Sequence, residues 1–143
     1  MLHENKTKIL GLIEQLLARV PLEALTNVVI FGSAAITLND KDLEREIDDL
    51  DLFASDATYA MLCTSPVTKE VEKKPGLWCL TVGVPNIEIW KTFPGVTHSE
   101  VKTRACTLDG SGQLLVASLE DLCAWKRAQP GEKHARDLKK MDC

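Results

Sequence analysis

The stretch "VVIFGSAAITLNDKDLEREIDDLDLFA", Val28 to Ala54, sets two apolar runs around a glycine–serine corner and a group of acids. Val28–Phe31 reads as a buried strand that Gly32-Ser33 ends abruptly. A second apolar strand, Leu50–Ala54, carries acids at its start, where core residues would be expected. Successive strand side chains point to opposite faces, so Asp49 and Asp51 project the same way while Leu50, Leu52 and Phe53 fill the core. Asp48 should face away from that pair, as a solvent or capping residue.

Two carboxylates this close repel each other unless a cation lies between them. A hard divalent ion such as Mg²⁺ suits them, because it prefers oxygen ligands and often combines one or two carboxylates with phosphates. The same pair also fits two solvated acids at a strand end. At the corner, a glycine lets backbone approach a ligand closely, and the residues after it offer N–H groups and a hydroxyl to phosphate oxygens. No GK[ST] follows, so this is not a Walker A loop, and a plain turn is the simpler alternative. A third acid, Glu88, stands in "NIEIW". If that strand lies beside Leu50–Ala54, Glu88 completes a carboxylate trio able to hold two metal ions, or acts as a base on an acceptor hydroxyl; otherwise it is an exposed strand glutamate.

The 143 residues suffice for one domain with a real core. No apolar run approaches the roughly 20 residues that cross a bilayer, and the N-terminus lacks a signal-peptide layout, so a soluble cytoplasmic protein is expected. The net charge of −4 argues against a generic nucleic-acid binder without excluding a local basic patch. The five cysteines, Cys63, Cys79, Cys106, Cys123 and Cys143, show no metal-ligand spacing and read as reduced thiols.

An amphipathic helix over 4–19 places Ile9, Leu12, Ile13, Leu16 and Leu17 on one face. A helix is expected at 56–63 after the second strand. "PVTKEVEK" reads as an edge strand, with "GLWCLTVG" and "NIEIWKTF" as further strands joined by a short turn. "VKTRACTLDGSGQLLVAS" reads as two strands around the turn Asp109–Gly112. Ser118 caps "LEDLCAWKRAQ" with Asp121 at the capping-box position, Pro130-Gly131 breaks that helix, and "EKHARDLKKM" forms a last one. The expectation is a single α+β domain over 1–143: a small mixed β-sheet flanked by helices, with the N-terminal helix at 4–19, the sheet within 28–117 and the C-terminal helices within 118–141. Trp78, Trp90 and Trp125 read as core, Trp90 being also placed for stacking or an acceptor pocket. His98 and His134 are isolated.

Together, "VVIFGSAA", "IDDLDLF" and "IEIW" resemble the nucleotidyltransferase superfamily that includes DNA polymerase β. Its signature is an apolar strand ending in Gly-Ser or Gly-Gly, then Asp-x-Asp in the next strand and a later acid in a third. "REIDDLDLF" is similar to the Arg-x-Thr-x-Asp-x-Asp version of bacterial small-molecule and AbiEii-like members, with Ile47 where threonine is common. The C-terminal "LLVASLEDLCAWKRAQPGEKHARDLKKM" resembles the strand, capped helix and basic helix that close minimal members such as the lincosamide nucleotidyltransferases. The resemblance spans about Val28 to Met141.

By that resemblance Gly32 and Ser33 hold a triphosphate, Asp49 and Asp51 bind metal, and Glu88 is the third acid. Lys126 and Lys133 lie near the nucleotide, while Asp137 orients a basic side chain. Basic residues are also favoured near a helix C-terminus by its dipole. The implied reaction is Mg²⁺-dependent transfer of a nucleoside monophosphate from an NTP, ATP by default, to an acceptor hydroxyl, with Mn²⁺ as substitute metal. The acceptor would be a small molecule or a protein, RNA being less favoured, and a homodimer or cognate protein partner would complete the acceptor site. The alternative is an inert nucleotide-binding or protein-interaction module of the same fold, such as a toxin-antitoxin component.

Overall fold

A computed structural model describes residues 1–108 and 114–143. Its centre is the pair of strands quoted above. β1 (Val29–Phe31) and β2 (Leu50–Phe53) run antiparallel, with Val29 opposite Phe53 and Phe31 opposite Asp51. All three residues of β1 are buried, as are Leu50, Leu52 and Phe53 of β2. Burial on both faces of the sheet explains why these strands read as apolar runs rather than alternating ones.

The remaining strands extend the sheet on both sides. β3 (Lys69–Lys74), β4 (Leu77–Thr81) and β5 (Ile87–Trp90) form an antiparallel meander, and β5 pairs with β2 in parallel. Beyond β1 lie β7 (Leu115–Val116) and β6 (Cys106–Thr107). Among the described residues this makes a mixed seven-stranded sheet in the order β3-β4-β5-β2-β1-β7-β6. The highly charged "KEVEKK" forms the edge strand β3, where exposed charge deters pairing with another chain.

Six α-helices among the described residues flank the sheet: α1 (Leu2–Arg19), α2 (Gly32–Leu38), α3 (Asp56–Leu62), α4 (His98–Arg104), α5 (Leu119–Arg127) and α6 (Glu132–Lys140). The chain is thus α+β with a mixed sheet, as its pattern of elements suggests. Ile9, Ile13 and Leu16 of α1 are buried, following helical spacing. Ser118 accepts a hydrogen bond from the Asp121 N–H at the start of α5. An aromatic cluster fills the space between β1, β2 and α5: Phe31 lies 5.5 Å from Phe53, 4.5 Å from Phe93 and 5.2 Å from Trp125 between ring centroids.

Three expectations are corrected. Residues 101–104 are helical, not extended, because Thr97 accepts from the Glu100 N–H at 3.3 Å and caps the start of α4; the expected turn at Asp109–Gly112 lies outside the described residues. Trp78 is about half exposed rather than core, at 47%. Cys123 and Cys143 are disulfide-bonded, not free thiols, because the packing of α5 against α6 brings their Cα atoms to 5.9 Å, within bridging range. Cys63, Cys79 and Cys106 are free. Among the described residues no helix is long and apolar enough to cross a membrane.

The aromatic cluster generates a stability prediction. Phe31→Ala should cost about 3–5 kcal/mol, seen as a lower urea midpoint with an unchanged slope. A loss below about 1 kcal/mol would show that the cluster does not anchor α5 to the sheet.

Candidate active site

The corner between β1 and α2 is shaped for glycine. Gly32 has φ +62°, and a Cβ there would lie 3.0 Å from Asp51 Oδ2. Both the left-handed backbone and the close approach of the carboxylate require its missing side chain. Asp51 therefore stands directly against the Gly32-Ser33 corner, joining the two motifs that the sequence separates.

β5 delivers Glu88 to the same place. Parallel pairing sets Asp51 opposite Glu88 and Leu50 opposite Ile87, so the two acids share a face of the sheet. Glu88 is held by Lys73 of β3, at 2.6 Å. Asp49 borders both Glu88 and the cleft next to Asp51. Asp48 also borders that cleft, contrary to the expectation that it faces away, because strand alternation begins only at Leu50.

These acids are electrostatically strained. Burial, with Glu88 and Asp49 adding to it, pushes the Asp51 carboxyl up to about 7 against a hydrogen bond from Trp90. Burial also raises Asp49, helped by Asp48 and Glu88. Among the described residues no Lys or Arg forms an ion pair with Asp49 or Asp51, whereas Glu88 has Lys73. No group of three His, Cys, Asp or Glu side chains among the described residues is gathered to hold a metal as they stand. Asp49 and Asp51 nevertheless suit an ion such as Mg²⁺, an oxygen-seeking cation that needs only one or two carboxylates when phosphates and water supply the rest.

The opposite chemistry comes from the C-terminal helices. Asp137 of α6 is buried and accepts from Arg45 at 2.6 and 3.1 Å, with Lys126 of α5 2.8 Å away. Burial alone would raise the Asp137 carboxyl, but hydrogen bonds from Arg45 and Lys126 hold it below the usual carboxylate range. Burial lowers the Lys126 ammonium against the pull of Asp137. Lys126 Nζ lies 3.1 Å from His134 Nδ1. Since an ammonium has only donors, Nδ1 accepts and the imidazole keeps its proton on Nε2. Burial and the neighbouring Lys126 and Lys133 depress the His134 pKa, in keeping with a neutral ring.

The two sets meet in a cleft of about 320 Å³. Asp48, Asp49 and Asp51 line it together with Arg45, Lys126 and Lys133, and Ser33 and His134 complete its polar walls. Gly32, Ser33, Asp49, Asp51, Lys126 and Lys133 are thus gathered at one place, with Glu88 one strand away in register with Asp51. Asp137 pairs with two basic side chains, Arg45 and Lys126. Three contributors were not singled out by the sequence reading. Arg45 was visible only as the first residue of "REIDDLDLF"; its Nη2 also lies 3.4 Å from Ser33 Oγ. His134, read as isolated, lines the cleft because α6 folds back on α5. Asn5 is a buried polar residue on the apolar face of α1; its side chain donates to the Arg45 carbonyl at 2.9 Å and accepts from the Ile47 N–H at 3.0 Å, pinning the segment that enters β2.

Comparison of the chain with family models, with curated proteins and with solved structures finds no match.

Asp51 sets a pH signature. Without metal, the folded protein keeps the Asp51 proton up to about pH 7, whereas an unfolded aspartate releases it near ~3.9. The folded state therefore binds the extra proton between those values, and stability falls as pH rises from about 4 to about 7, by an amount on the order of a few kcal/mol. Asp51→Asn should flatten this slope in urea titrations without metal. Identical slopes for mutant and wild type would remove Asp51 from the account.

Proposed function

We propose that the protein is a nucleotidyltransferase of the DNA polymerase β-like fold, transferring a nucleoside monophosphate from an NTP to an acceptor hydroxyl. The observation that carries this reading is the charge division of the cleft: Asp51 of β2 and Asp49 just before it supply carboxylates without ion-pair partners among the described residues, while the Arg45 segment, α5 and α6 supply cations. A magnesium–triphosphate has the complementary division, a dication attached to a polyanion. Asp49 and Asp51 would hold Mg²⁺, which when bound neutralises charge developing on the reacting phosphate.

The chain's own residues do the positioning. Lys126 and Lys133 neutralise the triphosphate, and Arg45 both steadies Asp137 and reaches toward Ser33. The Gly32-Ser33 corner lets backbone and hydroxyl approach phosphate oxygens next to Asp51. Glu88 either joins the metal set or accepts the acceptor proton, and both roles require it to leave Lys73. Held in line, the acceptor oxygen attacks the α-phosphorus and pyrophosphate leaves, so catalysis consists mainly of orientation and charge stabilisation.

One observation favours a second reading, a nucleotide-binding module without turnover: Lys73 occupies the third acid at 2.6 Å. Thermal unfolding with each of four NTPs, with and without Mg²⁺, tests both. At 100-fold excess over Kd, the right nucleotide should add about 2.7 kcal/mol only when Mg²⁺ is present, and Asp49→Asn/Asp51→Asn should lose the effect. Ser33→Ala should weaken binding modestly, since backbone donors remain. Pyrophosphate release in the presence of a pooled small-molecule extract, reduced at least about 100-fold in either aspartate mutant, selects the enzyme; Mg²⁺-dependent binding without release selects the inert module. No nucleotide effect in any condition would overturn both.

A further inference from the structure

A second cavity, of about 410 Å³, shares Asp51 and Trp125 with the charged cleft. Its chemistry is different. Leu77, Trp90, Phe93 and Pro94 form most of the wall, and beside Asp51 only Thr92 and Gln129 among the described residues bring polar side chains. No lysine, arginine or histidine among the described residues lines it, so a phosphate there would find no counter-charge.

We propose that this cavity binds the acceptor, an uncharged small molecule with a flat aromatic body whose hydroxyl points toward Asp51. The inference rests on the nucleotidyl-transfer reading and names the substrate class for it. The volume falls in the range of small-ligand sites, which are mostly apolar with a few placed polar groups. Two indoles, Trp90 and Trp125, contribute to the wall, the half-buried Trp90 being the one with ring surface left for stacking. The wall is also preformed. Trp125 packs 5.2 Å from Phe31, and Phe93 packs 4.5 and 4.9 Å from Phe31 and Phe53, so little ordering is left for binding to impose.

Asp51 and Trp125 form the common boundary, so a hydroxyl at the Asp51 end of the apolar cavity would face a nucleotide in the charged cleft. A protonated amine would have to bring its charge through an apolar wall, whereas a hydroxyl brings none. A peptide could not add as a strand here, because β5 already pairs on both sides, with β4 and with β2. In the transfer, a lone pair of the hydroxyl oxygen forms the new bond to the α-phosphorus. The bond from that phosphorus to the bridging oxygen breaks, its electron pair leaves with pyrophosphate, and the hydroxyl proton passes to Glu88 where that carboxylate acts as base, otherwise to solvent. The products are an aryl or benzyl ester of the nucleoside monophosphate and pyrophosphate, with no oxidation or reduction.

The test uses 2-naphthol as probe in ligand-observed NMR titrations of wild type, Leu77→Asp and Thr92→Asp. Leu77 is 46% exposed and Thr92 is also at the surface, so both substitutions place a charge at the mouth without disturbing the core; melting curves report whether each variant folds. Saturable binding to wild type, at least ten-fold weaker in both variants and retained with saturating MgATP, is expected. Absence of saturable binding, equal affinity in folded variants, or displacement of the probe by MgATP overturns the assignment, the last because the cavity would then hold the nucleotide base. The two readings fail separately. If MgATP does not bind at all, the transfer reading falls and the acceptor role falls with it, even where naphthol binds. If MgATP binds and naphthol does not, only the cavity's assignment falls.

Discussion

A buried carboxylate can stay ionised only if cations and hydrogen bonds replace the water it loses. Asp137 meets that requirement with Arg45 and Lys126 at once, and so ties together the segment entering β2, helix α5 and helix α6. Two of the cleft's three cations, Arg45 and Lys126, pair directly with this carboxylate. Without it, Lys126 would be a buried ammonium with no counter-ion, and α6 would lose the contact that directs Lys133 and His134 toward β2. Asn5 reinforces the arrangement from the far side by holding the backbone on both sides of Glu46.

Asp49 and Asp51 present the opposite situation. They are crowded by other acids and lack ion-pair partners among the described residues, while Glu88 on the neighbouring strand is bonded to Lys73, and Glu70 on the edge strand to Tyr59. A fold that satisfies its other buried polar groups leaves strain at one place, which is the pattern expected where a ligand rather than the protein supplies the missing charge. Lys73 belongs to the same picture, since an ammonium from the edge strand sits on the acid nearest that strain.

Much of this was legible in the chain. The buried strands, the glycine corner and the edge strand follow from apolar runs, a breaker and a charged repeat. Asp51 and Glu88 follow from side-chain alternation together with a neighbour relation that the sequence can suggest but not fix. What was missed depended on contacts between distant segments. His134 has no sequence neighbour that marks it, and only the turn at Pro130-Gly131 brings it to Lys126. The pairing of Cys123 with Cys143 likewise needs two helices already packed. Helix α4 is a different kind of miss: "THSE" is a local capping signal, overlooked because the β-rich run before it suggested another strand.

The parallel pairing of β2 with β5 has a consequence for how the chain tolerates change. Because side chains alternate, sliding β5 by one residue would turn Ile87 and Ile89 out of the core together with any displacement of Glu88. The spacing of the acids is therefore quantised: it cannot drift by small steps, and the pressure that keeps the core apolar keeps it fixed. The lengths of the intervening segments carry no such restriction. That freedom excludes 34–48, where buried α2 and the contacts of Asn5 and Arg45 fix the path of the chain, but at the tip joining β3 to β4 insertions or deletions can accumulate while the acids stay where the sheet sets them. The cleft thus separates what must be conserved in register from what is free to vary in length.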